Sequence, residues 1–169
     1  ASWASIDYYG RWKAAHYAAR RFFAPLLLAA EETQGTVTLA IHNDRPAPGA
    51  GRIYWALETL HGQRVRDENV PFTVDAFAAA RLPPLDLAPH ITEENRRDVV
   101  LVCEFGEGVP GADPIVVPFV PSKHLSLTDP GLAASVETGE VELRITVTAQ
   151  ALARFVELAL DGTDVVFSD

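Results

Sequence analysis

Two stretches of alternating side chains constrain the fold of this chain more than any other feature. Residues 36–43 (TVTLAIHN) and 52–60 (RIYWALETL) place every second side chain on the same side, which is the period of a β-strand. The residues between them, DRPAPGAG, are rich in turn formers. Together the two stretches predict antiparallel strands joined by a turn-rich connection.

Eight further segments have strand-like composition, so the sequence predicts a mainly β chain. They are short, lie close together, and alternate with turns that contain most of the twelve prolines and eleven glycines. This spacing favours an immunoglobulin-like β-sandwich. Residues 88–97 (APHITEENRR) are expected to form a short helical turn or a loop. The predicted strands are 64–70, 72–78, 98–105, 114–120, 133–137, 140–148, 154–160 and 165–167.

The N-terminal segment has a different period and predicts one amphipathic α-helix. Its apolar side chains recur at three- and four-residue intervals, which places them on one helical face. Ser5 or Asp7 is expected to cap the start of the helix, and Pro25 is expected to end it. We therefore expect a helix within residues 1–25, followed by an immunoglobulin-like β-sandwich domain over residues 26–169. The predicted stripe is Tyr8, Trp12, Ala15, Ala19, Phe22 and Leu26.

The charge of the chain argues against nucleic acid as a partner. The formal net charge is -9, whereas phosphate binding needs a basic surface. The charge is uneven, because residues 1–25 carry +3 and the remaining residues carry -12. A basic amphipathic helix can bind a membrane surface or a partner, but the favoured interpretation is a packing helix with a solvated charged side.

Neither a membrane nor an oxidising compartment is indicated. No apolar run approaches the roughly 18 residues that span a bilayer, and the first residues lack the pattern of a signal peptide. The one cysteine, Cys103, excludes an internal disulfide, so a cytoplasmic location is expected. The absence of Met fits a fragment of a longer protein as well as a whole product.

Two motifs suggest chemistry that their surroundings do not support. Residues 106–111 (GEGVPG) have the glycine spacing of a dinucleotide-binding loop. Such a site needs a following helix, but Pro110 and Pro114 bracket the segment and a strand follows, so we expect a loop and no bound cofactor. Cys103 has no neighbouring His to lower the pKa of its thiol, so a buried small side chain is favoured over a nucleophile.

The histidines and carboxylates do not predict a grouped site. The histidines are scattered singly, so no metal site is expected, and no G-x-S-x-G motif supports serine-based hydrolysis. Glycoside hydrolysis needs two carboxylates that flank a sugar, about 5 Å apart or more, but the acidic residues here lie at turns and strand ends, where solvated carboxylates are ordinary. The residues considered are His16, His42, His61, His90, His124, Glu31, Glu32, Glu93, Glu94, Glu104, Glu107, Asp161 and Asp164.

Tyr54 and Trp55 are neighbours on one predicted strand and point to opposite faces, so only one of them can face the core. The outward residue is a candidate for stacking on a sugar, although packing under a loop or the helix is favoured. Coplanar exposed rings on one sheet or loop cluster would indicate a carbohydrate-binding module. An apolar patch without stacked rings would indicate a protein-interaction sandwich domain.

The most specific motif is residues 2–28, SWASIDYYGRWKAAHYAARRFFAPLLL. It resembles the end of the catalytic (β/α)8 barrel of β-mannosidases, in the multidomain glycoside hydrolase family that also contains β-galactosidases and β-glucuronidases. In that family the segment closes the barrel with its last helix. The looser resemblance that follows is to an immunoglobulin-like linker domain, and residues 165–169 (VVFSD) resemble the motif that leads into the last sandwich domain.

The resemblance implies a C-terminal fragment of a β-mannosidase, a retaining enzyme that hydrolyses terminal β-mannosides. In the family the acid/base Glu follows an Asn, the nucleophilic Glu lies on a later barrel strand, and both precede this segment. The chain contains no Asn-Glu dipeptide, so we expect it to hold no catalytic, cofactor-binding or metal-binding residue and to be inactive alone.

The resemblance also implies where the N-terminal residues lie and what they contact. Trp3 and Tyr8 would lie near the rim of the barrel, where a structural role is favoured over contact with substrate. The expected partners are the remaining domains of the parent enzyme and a second copy of the chain. The second copy would bind through the apolar stripe of the N-terminal helix, because that stripe needs cover from water. The alternative is that the stripe folds back on the sandwich of its own chain, and self-association is favoured.

Overall fold

The computed structural model describes residues 4–109, 113–140, 142–160, 162 and 165–167. In these residues one α-helix precedes a succession of β-strands, and short 3-10 turns lie at Ala88–His90 and Ser122–His124. The elements are α1 (Ala14–Phe22), β1 (Leu26–Thr33), β2 (Thr36–Asn43), β3 (Gly49–Thr59), β4 (Arg64–Val74), β5 (Ala78–Arg81), β6 (Leu85–Asp86), β7 (Val99–Phe105), β8 (Ile115–Pro118), β9 (Ala133–Thr138) and β10 (Leu143–Thr148).

Two four-stranded antiparallel sheets form a sandwich around one core. The first sheet has the order β1-β2-β5, with β6 also paired to β2, and the second has the order β4-β3-β7-β8. Alternate side chains of both sheets meet in the core, and burying each large one stabilises the fold by about 1.5 to 3 kcal/mol. The prediction of a mainly β, immunoglobulin-like sandwich preceded by one helix is confirmed. The core includes Leu26, Leu28, Val37, Leu39, Ile41, Ile53, Trp55, Leu57, Phe72, Val74, Val99, Leu101 and Cys103.

The N-terminal helix is shorter than the sequence predicts. It begins at Ala14, because the preceding residues form a turn around Asp7 instead of a helix. The Asp7 carboxylate accepts hydrogen bonds from the N–H groups of Tyr9 and Arg11 at 2.8 and 2.9 Å. Gly10 lies within this turn with a φ of 85°, a left-handed conformation that suits glycine. The bond from the Arg11 backbone holds the pKa of Asp7 below its ordinary value.

The predicted stripe is not one helical face. Tyr8 precedes α1 and is 96% exposed, whereas Leu26 belongs to β1 and is buried in the sandwich core. Ser5 does not cap α1; its Oγ lies 3.0 Å from Nδ1 of His16. Pro25 follows the end of α1, as predicted. The segment therefore divides its apolar side chains between water and the sandwich.

Several strand boundaries also differ from the prediction. Residues 64–70 and 72–78 were expected to be two strands, but β4 continues through Pro71. Proline is tolerated there because β4 is an edge strand, where a missing N–H need not break a ladder. β1, β5 and β6 were not predicted, and residues 154–160 and 165–167 form no strand in the structure.

Pairs of oppositely charged side chains lie along β4, the strand that forms one edge of the second sheet. Arg64 lies 3.5 Å from Glu58 and 3.7 Å from Asp67, and Arg66 forms an ion pair with Glu68. Most of these side chains are well exposed, so each pair adds little to stability. Their effect is to place charge along a strand that pairs with β3 on one side and, within the described residues, has no partner strand on the other.

β9 and β10 form a separate two-stranded sheet after the sandwich. A small apolar cluster, which we call the seam, joins the region that carries them to the outer face of the second sandwich sheet. In the seam, Leu60 and Val100 of the sandwich side pack with Leu125, and all three are buried. Leu152 packs against the same cluster, and its N–H donates to the carbonyl oxygen of Leu60 at 2.6 Å.

Candidate functional site

One cleft brings together two of the carboxylates considered from the sequence. It has a volume of about 310 Å³ and lies between the β1–β2 turn and residues 88–96. Glu32 reaches it from the end of β1, and Glu93 and Arg96 reach it from the turn that follows the first 3-10 segment. Ile91 and Phe119 contribute apolar side chains to its wall.

Both carboxylates of the cleft already have hydrogen-bond partners. Glu32 Oε1 accepts a hydrogen bond from the N–H of Gly35 at 2.8 Å, which stabilises the β1–β2 turn. Glu93 Oε1 accepts one from Arg96 Nη1 at 2.6 Å, and Arg96 Nη2 donates to the carbonyl oxygen of Phe119 at 3.2 Å. These contacts tie turns together, and they do not present an acid and a base to a bound sugar.

The other carboxylates are not gathered at this cleft. Glu31 lies 3.5 Å from Arg81 on the first sheet, and Glu104 lies beside Tyr54 on the second. Glu94 and Glu107 lie in the loops before and after β7. The predicted candidates Asp161 and Asp164 lie outside the residues that the structure describes.

Cys103 is buried in β7, as the sequence predicts. Burial raises the pKa of its thiol from 9.0 to about 12, because the thiolate would lose its hydration. A thiol that stays protonated at neutral pH is a poor nucleophile. The side chain therefore acts as a small apolar group of the core.

The five histidines lie in different parts of the fold. His16 is in α1, and His42 is exposed on β2. His61 follows β3, His90 lies 3.4 Å from Arg66, and His124 ends a 3-10 turn and accepts a hydrogen bond from Arg97 through its carbonyl oxygen. Within the described ranges, no group of three or more His, Cys, Asp or Glu side chains is arranged to hold a metal ion. Nor is any helix in that part of the chain both long and apolar enough to cross a membrane.

Residues 106–109 of the glycine-rich motif form a loop after β7, as predicted, and residues 110–112 are not among those that the structure describes. The N–H of Gly106 donates to the carbonyl oxygen of Arg52 at 2.9 Å. A Cβ at Gly106 would lie only 2.8 Å from the Tyr54 ring, so the glycine is needed for that ring to pack against the loop. No helix follows the motif in residues 113–118, where β8 is formed instead.

Trp55 faces the core and Tyr54 faces outward, so the alternation predicted for β3 is correct. The guanidinium of Arg66 lies 5.7 Å from the centre of the Trp55 ring. Tyr54 is 45% exposed, and its neighbours across the sheet are Asn69 and Glu104. On the described part of this sheet face Tyr54 is the one aromatic ring, so it does not form a coplanar platform with a second ring.

Two sequence families match the chain at adjacent positions. The family described as "Mannosidase Ig/CBM-like domain" matches residues 35–124, which contain β2 to β8 and the Ser122–His124 turn. A family described as "Ig-fold domain" matches residues 127–169, which contain the β9–β10 sheet.

Named relatives also resemble the chain. Beta-mannosidase A of Aspergillus oryzae is 30% identical over 154 residues, which cover 81% of this chain and 17% of that protein. Beta-mannosidase A of Aspergillus niger is 25% identical over 165 residues, which cover 89% of this chain and 17% of that protein. The chain thus spans about 17% of the length of these curated relatives. The structure of a beta-D-mannosidase from Dictyoglomus thermophilum has the same fold, with a TM-score of 0.78 and 24% identity over 94% of this chain and 19% of that one.

Proposed function

Because the chain belongs to the family of mannosidase Ig/CBM-like domains, we propose that it is the non-catalytic C-terminal portion of a β-mannosidase. Its role is to support a catalytic barrel that hydrolyses terminal β-mannosides with retention. One observation carries the proposal: the chain forms a sandwich in which the carboxylates of its cleft, Glu32 and Glu93, stabilise turns. The barrel supplies the catalytic carboxylates, and this chain supplies none.

Activity of the purified chain tests the first part of the proposal. We expect no hydrolysis of aryl β-mannosides above background, because both carboxylates of the mechanism belong to the barrel. Glu32→Gln and Glu93→Gln are the matched variants, since each removes one carboxylate from the cleft. Turnover by the chain that either variant abolishes would contradict the proposal.

The coding sequence upstream of Ala1 tests the second part. It is expected to encode an Asn-Glu pair and a second barrel Glu, which are the acid/base and the nucleophile that the family resemblance implies. An upstream reading frame that lacks the Asn-Glu pair or the second barrel Glu would contradict the proposal that the parent enzyme is a β-mannosidase. In this proposal residues 1–25 supply the last helix of the barrel, and residues 26–169 are the immunoglobulin-like portion, which includes the sandwich and the β9–β10 sheet.

Self-association belongs to the proposal for the isolated chain. Four aromatic side chains near the N-terminus are exposed in the isolated chain: Tyr8, Tyr9, Phe22 and Phe23. Contact between these side chains and a second copy would remove apolar surface from water. Sedimentation velocity should show a concentration-dependent dimer that a chain starting at Leu26 lacks. If both chains are monomers at high concentration, self-association through these residues is contradicted.

A cytoplasmic location is also proposed, because the fold needs no disulfide and Cys103 is a free buried thiol.

Carbohydrate binding by the sandwich is the second candidate function, and exposed Tyr54 is the observation that favours it. A sugar can stack on such a ring. Titration with mannose, followed by NMR, should shift the Tyr54 ring signals if this function exists, and Tyr54→Ala should abolish the shifts. If mannose causes no shifts, carbohydrate binding is contradicted and support of the barrel is the remaining proposed function.

A further inference from the structure

One phenylalanine is presented at an end of the sandwich in a strained backbone conformation. Phe77 lies in the three-residue connection between β4 and β5 and has a φ of 52°. A bulky L-residue adopts this left-handed region only at a cost in free energy, because its Cβ crowds the backbone, whereas Gly or Asn adopts it more easily. The Phe77 side chain is 71% exposed, so burial in this chain does not offset that cost. Phe155 shares both properties, with a φ of 59° and 86% exposure, so what distinguishes Phe77 is its position at one end of the sandwich.

Buried polar contacts hold the Phe77 turn in place. Asn43, which is 1% exposed, donates hydrogen bonds from Nδ2 to the carbonyl oxygens of Asp75 and Ala47, each at 2.9 Å. The N–H of Phe77 donates to the carbonyl oxygen of Arg45 at 3.2 Å. The turn and the neighbouring β2–β3 connection are therefore one preorganised unit. An aromatic side chain on such a unit loses little conformational entropy when it binds.

The end of the sandwich that carries Phe77 is also the end that α1 enters. The N–H of Asp44, in the β2–β3 connection, donates to the carbonyl oxygen of Pro25 at 2.9 Å, just before β1. Phe22 and Phe23, at the C-terminal end of α1, are both more than half exposed. We call Phe22, Phe23 and Phe77 the aromatic end patch.

We infer that Phe77 is an anchor through which this end of the sandwich docks on the catalytic barrel of the parent enzyme. The inference rests on the proposed function, in which α1 belongs to that barrel. Only residues 23–25 separate α1 from β1, and three residues span at most about 10 Å. The barrel that packs around α1 is therefore held beside the patch, where its effective concentration is about millimolar or higher. A second copy has no such tether, so the barrel is the occupant.

Oxidative footprinting of phenylalanine side chains tests the occupant. Phe155 is the internal reference, because it also has a positive φ, 59°, and is 86% exposed, but it lies in the region that follows the sandwich. We expect Phe77 to be oxidised at least five-fold more slowly in the parent enzyme than in the dilute isolated chain. Equal rates would overturn the inference. Protection of Phe77 in the concentrated isolated chain, without protection of Phe77 in the parent enzyme, would assign Phe77 to a second copy and would also overturn the inference.

The substitution Phe77→Asn separates anchoring from a structural role. Asn tolerates a positive φ, so the melting temperature of the isolated chain should stay the same or rise. In the parent enzyme the same substitution removes the anchor, and its melting temperature should fall while Phe155→Asn leaves it within a degree. If the parent enzyme is active and Phe77→Asn leaves its melting temperature unchanged, the inference about Phe77 is overturned and the proposed function stands. If the parent protein lacks the two barrel glutamates, the proposed function is overturned.

Discussion

At the scale of single residues, Asn43 links two connections of the sandwich through one buried amide. Its two donated hydrogen bonds satisfy carbonyl groups in different loops, and its Oδ1 accepts a hydrogen bond from the N–H of Arg45 at 3.2 Å. Removing the amide leaves these backbone groups without their partner. A buried polar group in that state costs about 1 to 3 kcal/mol.

We therefore expect Asn43→Ala to lower the free energy of unfolding by about 1 to 3 kcal/mol in urea denaturation. Asn69→Ala is the matched control, because Asn69 is exposed on β4 and its hydrogen bond to Arg52 is solvated. The control should change stability by less than about 0.5 kcal/mol. Equal effects of the two substitutions would show that the buried amide does not hold the loops.

Cys103 should make the stability of the chain fall at high pH. Its pKa is about 12 in the folded state, against an ordinary value of 9.0, so the unfolded chain releases the thiol proton first. The stabilising contribution is complete below pH 9 and is lost as the pH rises from 9 to 12, by up to about 1.4 kcal/mol per unit. Urea titrations at several pH values would measure this slope, and Cys103→Ala should reduce it. An unchanged slope in the variant would contradict the assignment.

Some residue-level features could be predicted because they depend on local pattern. The alternation of β3 placed one of Tyr54 and Trp55 outward, and an apolar strand around Cys103 indicated its burial. The cleft at Glu32, Glu93 and Arg96 could not be predicted, because turns distant in the sequence form it. A left-handed phenylalanine at position 77 carries no sequence signal, since the usual sign of such a backbone is Gly or Asn.

At the scale of elements, the boundary between α1 and β1 shows where periodicity fails. Leu26 fits the helical stripe by spacing, yet it is buried in β1 and pairs with Asn43 on β2. A short apolar run such as LLL is compatible with either a helix or a strand, and only the partner strand decides between them. The same ambiguity explains why β1 was missed and why a strand was predicted at residues 154–160.

Two alanine substitutions should separate the helix from the sandwich. Leu26→Ala is expected to lower the free energy of unfolding by about 2 to 5 kcal/mol, because it leaves a cavity in the core. Phe22→Ala should cost less than about 1 kcal/mol, since its side chain is largely in water. Thermal or urea denaturation of the isolated chain would measure both. A larger loss for Phe22→Ala would mean that α1 is buried in solution.

At the scale of the whole molecule, the seam connects the sandwich with the β9–β10 region. Leu125 and Leu152 cover apolar residues on the outside of β7 that would otherwise face water. Val136, Leu143 and Val147 of the two-stranded sheet remain exposed, and such a sheet has little stability of its own. Its order therefore depends on being attached to the sandwich.

Leu125→Ala should loosen this attachment while leaving the sandwich intact. We expect faster amide hydrogen exchange in β9 and β10 and unchanged exchange in β3 and β7, because Leu125 belongs to the seam and not to the main core. Leu127→Ala is the control, since Leu127 is partly exposed and lies outside the seam. Uniformly faster exchange throughout the chain would contradict a separable seam.

The charged edge of β4 bears on how the chain behaves at high concentration. An unpaired strand can recruit the same strand of another molecule, and repetition of that pairing leads to fibrils. Charged side chains and proline along an edge strand disfavour such pairing, and β4 carries Arg64, Arg66, Asp67 and Glu68 as well as Pro71, which has no N–H to offer an incoming strand. This edge therefore protects the sandwich against aggregation even though its ion pairs add little to the stability of the fold.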